Sequence, residues 1–166
     1  MVGRLVFGVS AALLFAFGSP ASVAPTGSPN AERPDVVSVK GDDAEMEAAK
    51  AKGRSTLPIF YQRLAAPAGD EGDFAIKFNL TPNGDVEFIW AGELQFDSKG
   101  KLSGVLHNVP IDTRFQQGQR VAIDQAEIID WGYRKGAIIQ GNHTTRVILG
   151  RMPADQAAAV RSSLGW

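Results

Sequence analysis

The clearest pattern in the chain begins at Asp73, where apolar and polar positions alternate with a period of two. Phe74, Ile76, Phe78 and Leu80 fall on one face, and Ala75, Lys77 and Asn79 on the other. That alternation predicts a half-buried strand. Thr81-Pro82-Asn83-Gly84 then predicts a type I turn, with proline second and glycine in the left-handed conformation of a bulge. Pairing Thr81 with Asp85 sets Phe78 opposite Phe88 and Ile76 opposite Trp90, so the two apolar faces coincide. A two-residue Asn-Gly loop would instead set Leu80 against Glu87 and is disfavoured on that ground. The second strand runs through Phe96, Asp97-Ser98-Lys99-Gly100 turns the chain again, and Leu102 to Asn108 returns as a third strand. Further strands are expected at Arg120 to Ile123, Ile128 to Tyr133 and Ala137 to Gln140, the last two joined across Arg134-Lys135-Gly136.

Ahead of the strands the period is helical. Asp42 and Asp43 can cap a helix through Lys52, with Met46 and Ala49 one turn apart and Gly53 ending it. Ser55 or Thr56 then caps a second helix, which tolerates Pro58 in its first turn and places Leu57, Phe60, Tyr61 and Leu64 on one stripe. Thr144 to Leu149 fits a helix or a strand. Pro153 opens a final helix with Ala157, Val160 and Leu164 on one side and Gly165 at its end. The expected fold is α+β: a mostly antiparallel meander sheet covered by two N-terminal helices and a C-terminal helix.

The first residues follow another logic. Arg4 precedes an apolar run from Leu5 to Phe17 and then Gly18-Ser19-Pro20, the charged start, short apolar stretch and helix-breaking end of a signal peptide. A bilayer span needs about 20 apolar residues, and this run offers roughly 13. Residues 1–21 are therefore expected to be a cleaved export signal, cut after Ala21. Residues 22–41, rich in Pro, Ser, Gly and Ala, are expected to be a flexible linker. A single domain occupies 42–166, and no span remains after cleavage.

Loss of Arg4 leaves 16 basic against 18 acidic residues, a net charge of −2 with neutral histidines. That balance argues against nucleic acid or an anionic membrane as partner. The chain has no cysteine, so a disulfide or a lipid-modified anchor is not expected. About 125 residues can bury a sufficient core without staples. Localisation is expected to be periplasmic or secreted.

Catalytic motifs are absent from the sequence. His107 and His143 stand alone with no thiol and no His-x-x-x-His pair, so no metal and no cofactor is expected. Neither Gly-x-Ser-x-Gly nor a phosphate-cradling glycine loop occurs. Glu87, Glu93, Asp112, Glu127 and Asp130 are the carboxylates available for a glycosidase-like pair, and spacing singles out no two of them. The densest polar and aromatic stretch is Asp130-Trp131-Gly132-Tyr133 followed by Gly141-Asn142-His143-Thr144-Thr145-Arg146. In a strand Trp131 and Tyr133 share a face opposite Asp130, and an aromatic pair beside Arg146 can clamp an anionic or peptide ligand. The structural alternative has Asp130 and Arg146 fixing the last turns while Trp131 plugs the core.

At these residues the chain resembles the YegJ-like family, a bacterial domain of unknown function, from about Ala48 to Leu149. The matching signals are Thr56-Leu57-Pro58 with Phe60, then Phe74 and Lys77, then Glu87-Phe88-Ile89-Trp90. They continue through Gly104, Asn108 and Pro110, the stretch from Gly118 to Ile123, Asp130-Trp131 with Tyr133, and Gly141, Thr144 and Arg146. The resemblance implies a compact α+β domain, often exported, and carries over no catalytic residue. His143 stands where related chains tend to have an aromatic.

The functional expectation is an exported, non-enzymatic binding module for an unidentified protein or small molecule of the cell envelope, an inhibitor or immunity-type protein included. Glu87, Asn108, Asp130, Trp131, Tyr133 and Arg146 are its candidate contacts. The competing expectation is an envelope hydrolase using Glu87 or Glu93 with Asp130. A third places function in an oligomer interface.

Overall fold

The computed structural model of the protein describes Leu5–Gly8, Val36–Val39 and residues 43–166 other than Asp85. Apart from the two short segments, the expected signal peptide and linker lie outside the described residues. Leu5–Gly8 (β1) pairs antiparallel with Val36–Val39 (β2) and lies parallel to the start of a later strand, with Val6 opposite Glu87 and Phe7 opposite Phe88.

The two helices expected before the sheet are one, α1, from Ala44 to Ala65. Asp43 caps it by accepting the Met46 N–H at 3.1 Å, and Glu45 and Glu47 place negative charge in its first turn. Gly53 does not end the helix. Its missing side chain lets α1 touch a strand, since a Cβ there would lie 2.3 Å from the Ile129 carbonyl oxygen. The Ser55 and Thr56 hydroxyls donate back to the Lys52 carbonyl at 3.0 and 2.7 Å rather than capping a new helix. Pro58 removes one N–H on the exposed side, where solvent can hydrate the carbonyl it leaves behind.

The remaining strands are β3 (Glu71–Asn79), β4 (Glu87–Phe96), β5 (Leu102–Leu106), β6 (Arg120–Ile123), β7 (Ile128–Lys135) and β8 (Ile138–Gly141). They are joined antiparallel in the spatial order β6-β5-β4-β3-β7-β8. The meander therefore holds from β3 to β6, after which the chain returns to the far side of β3. In a flat sheet β6 and β7 would be roughly 19 Å apart at ~4.8 Å per strand. They are linked by four residues, three of them in the 3-10 turn Gln125–Glu127, which advances only about 2 Å per residue. The sheet must curl.

Its concave face holds the main core, with Ile76, Phe78, Ile89, Ile128 and Trp131 packed around Phe60 of α1. Burying Phe60 alone is worth about 2 to 3 kcal/mol. The hairpin register differs from the expected one: Phe78 pairs with Ile89 and Lys77 with Trp90, and the Leu80 N–H donates to the Glu87 carbonyl. The expectation failed because it assumed one apolar face. Phe88 and Trp90 instead belong to the second face with Lys77 and Asn79, where Met46 of α1 and Ile148 join Phe88 and Ile129 in a separate cluster.

The ambiguous segment after β8 is helix α2 (His143–Arg151), and α3 (Ala154–Leu164) ends at Gly165 in the left-handed conformation with φ 75°. The fold is α+β, with one helix before β3 and two after β8.

Candidate functional site

Asp130 lies on the second face of β7, opposite Lys77, and its carboxylate is fully buried. Its Oδ1 accepts the N–H groups of Trp131 (2.9 Å) and His143 (3.1 Å), and its Oδ2 accepts the N–H and hydroxyl of Thr144, both at 2.7 Å. Asn142, the residue in the capping position, makes no side-chain cap. Asp130 therefore caps α2 from a neighbouring strand, satisfying the N–H groups that begin a helix and placing negative charge at its positive end. Burial pushes the His143 imidazole below its ordinary pKa, and the Asp130 charge partly restores it.

Lys77 is fully buried beside Asp130, with its ammonium 5.8 Å from the centre of the Trp90 ring. Burial lowers its pKa to about 8, against the upward pull of Asp130.

Glu87 opens β4 opposite Leu80, on the concave side. Its two oxygens accept the N–H groups of Ile111 (2.6 Å) and Asp112 (3.1 Å), so it pins the loop after β5 to the sheet. Glu87 and Asp130 thus lie on opposite faces and do not form a carboxylate pair.

Asn108 continues β5's path along β4. Its Oδ1 accepts the Trp90 N–H at 3.1 Å, while the His107 N–H donates to the Trp90 carbonyl at 2.9 Å. The Asn108 side chain thereby does the work of a strand backbone. Its Nδ2 is buried with no partner, in a residue only 4% exposed. The His107 ring lies on Gly92, where a Cβ would fall 2.3 Å from it, and its Nδ1 is likewise buried without a partner. Burial pushes this imidazole down too, against the opposing charges of Glu93 and Asp73.

Trp131 and Tyr133 do share a face, and it is the one packed into the main core. They stack with centroids 6.0 Å apart, Tyr133 stacks on Phe74 at 5.0 Å, and the Trp131 Nε1 donates to the Gly53 carbonyl and the Thr56 hydroxyl. Arg146 is exposed, with its guanidinium 3.6 Å over the Trp166 ring, and it donates to the Gly141 carbonyl rather than to Asp130. Of the six candidate residues, Asp130, Trp131 and Tyr133 are built into the scaffold, and Glu87 and Asn108 each tie the stretch after β5 to β4. Val109 and Ile111, which flank that edge at 54% and 44% exposure, escaped the sequence reading. The available signal was two apolar residues around Pro110 in a stretch with no strand or helix period. Among the described residues no group of three or more His, Asp or Glu is placed to hold a metal ion, and no helix is long and apolar enough to cross a membrane.

Residues 43–166 match the family described as "Uncharacterized protein conserved in bacteria (DUF2314)". The chain belongs to it. A relative, "Uncharacterized protein YegJ" of Escherichia coli (strain K12), is 33% identical over 96 residues, which are 57% of this chain and 62% of that protein. The matched part thus spans less than two thirds of the relative's length. No solved structure matches the chain. DUF2314 membership agrees with the YegJ-like resemblance and extends it at both ends, from Asp43 to Trp166.

Proposed function

We propose that this protein is an exported binding module, periplasmic or secreted, that holds a partner rather than transforming one; an inhibitor or immunity-type protein falls within this reading. The apolar run after Arg4 supports export, and a contrast inside the domain supports binding. Asp130, which the hydrolase reading needs beside Glu87 or Glu93, is committed to the α2 terminus, and Glu87 is committed to the 111–112 backbone from the opposite face of the sheet. Two of the four buried side-chain atoms without a hydrogen-bond partner among the described residues, the His107 Nδ1 and the Asn108 Nδ2, lie instead beside β4. The observation that carries the reading is the Asn108 Nδ2, buried without a partner directly before the exposed Val109 and Ile111, because buried donors are almost always satisfied.

Expression in a bacterium with cell fractionation and N-terminal sequencing tests the first half. The expected product begins at Ser22 and leaves the cytoplasm, and an unprocessed cytoplasmic protein would refute export. Affinity capture from envelope extract tests the second half. A partner retained by the wild type and lost with the Val109→Lys, Ile111→Lys double variant is expected, and capture unchanged by that variant would refute this location of the contact surface.

A further inference from the structure

Along β4 the backbone groups alternate in direction. The Glu87 carbonyl faces β3 and accepts the Leu80 N–H, whereas the Trp90 N–H and carbonyl face outward to Asn108 and His107. By the same alternation Phe88 directs its N–H and carbonyl outward. There β5 has already ended at Leu106, and the strand lying against β4 is Leu5–Gly8, parallel, with Phe7 opposite Phe88. This strand lies inside the expected signal peptide, so cleavage removes it.

We propose that the vacated edge of the mature domain is a strand-addition site for an extended, apolar segment of a partner protein, laid parallel to β4 at Glu87 and Phe88. This rests on the export and binding reading above. Three features support this occupant. The chain's own Leu-Val-Phe-Gly already sits there in the stated register. The edge carries none of the usual protections: the segment Val86 to Ile89 has no proline or lysine, and its one charge, Glu87, is turned into the loop. The spare Asn108 Nδ2 and the exposed Val109 and Ile111 stand beside the edge, offering a donor and two apolar contacts to alternate positions of an added strand.

The test uses the mature chain, residues 22–166, and a capped synthetic peptide of residues 3–9, followed by calorimetry and by amide NMR shifts. In the parallel register the Gly8 N–H is aimed at the Phe88 carbonyl and the Phe7 N–H points away. N-methylation at Gly8 should therefore weaken binding about tenfold, the loss of one backbone hydrogen bond, while N-methylation at Phe7 leaves it nearly unchanged. Shifts should centre on Phe88, Asn108 and Ile111, and Ile111→Lys should weaken binding without unfolding the domain. Absence of binding to the folded mature chain overturns the proposal, as do equal losses for the two methylated peptides and a stable dimer that excludes the peptide. If the peptide fails while envelope capture still depends on Val109 and Ile111, strand addition falls and the binding reading stands. If the peptide behaves as expected and no envelope partner is captured, the binding reading is the one overturned.

Discussion

Replacing Asp130 by alanine should be among the most damaging single changes available in this domain, and the size of the effect follows from what its carboxylate holds. Four donors lose their acceptor: the N–H groups of Trp131, His143 and Thr144, and the Thr144 hydroxyl. His143 is partly exposed and its N–H can be hydrated, but Thr144 is fully buried, and each orphaned buried group costs about 1 to 3 kcal/mol. Lys77 also loses the negative charge that faces it. A total of about 3 to 5 kcal/mol is expected from these losses, a large part of the ~5 to 15 kcal/mol that stabilises a typical domain. Asp130→Asn should cost less, since it keeps one acceptor, but should not be neutral, because its amide turns a donor toward donors. Urea unfolding followed by tryptophan fluorescence reads both values. A loss below about 1 kcal/mol for Asp130→Ala would refute the remote-cap account and free the carboxylate for a ligand. An independent reading comes from NMR titration of His143, whose pKa should fall further once the Asp130 charge is gone.

Two other perturbations probe the scaffold. Lys77 has a folded pKa of about 8 against an ordinary 10.5, so between those values the unfolded chain holds a proton that the folded chain has shed, and stability rises with pH. Lys77→Met lacks that dependence, so any stability advantage it has over wild type should shrink by about 3 kcal/mol between pH 8 and pH 10.5; a constant or widening gap in denaturation curves would contradict the burial of a titrating ammonium. Gly53→Ala would stabilise an unobstructed helix by about 1 kcal/mol, but here the new methyl meets the Ile129 carbonyl, and a loss of about 1 to 3 kcal/mol is expected. Stabilisation in thermal melts would show that α1 does not rest on β7 at that point.

The strands were largely legible because their alternation and turn residues are local properties: β4 reaches Phe96 and the Asp97 to Gly100 turn closes as expected, with the Gly100 N–H donating to the Asp97 carbonyl. The register of the first hairpin was not, because Lys77 and Asn79 read as solvent-facing although each is buried. A strand with two covered faces gives alternation nothing to decide between. Gly53 read as a helix stop because its local preference is a cap; its actual reason, contact with Ile129, lies 76 residues away in sequence. The candidate site was legible by composition and not by direction. Trp131 and Tyr133 share a face as their spacing requires, yet both faces of β7 are covered, so spacing did not show that the pair packs inward while Asp130 on the other face caps α2. Asn108 was named as a candidate contact and as one of many matches in order, and its importance comes from replacing a strand at Trp90, a role no spacing reveals.

The docking of α1 also bears on how the chain can travel. This helix precedes β3 to β8, yet its most extensive contacts are with β7 and with α2, the Arg151 guanidinium reaching back to Asp43 and Glu45. No part of the concave core is complete until the last third of the polypeptide exists, because Phe60 has Trp131 and Ile128 among its walls. Contacts so far apart in sequence close late. Under the proposed export, a chain emerging from the ribosome would wait some 65 residues for the β7 surface on which its first helix chiefly rests, and so remain threadable through a translocation pore. It would acquire its shape only once the whole length had passed to the other side.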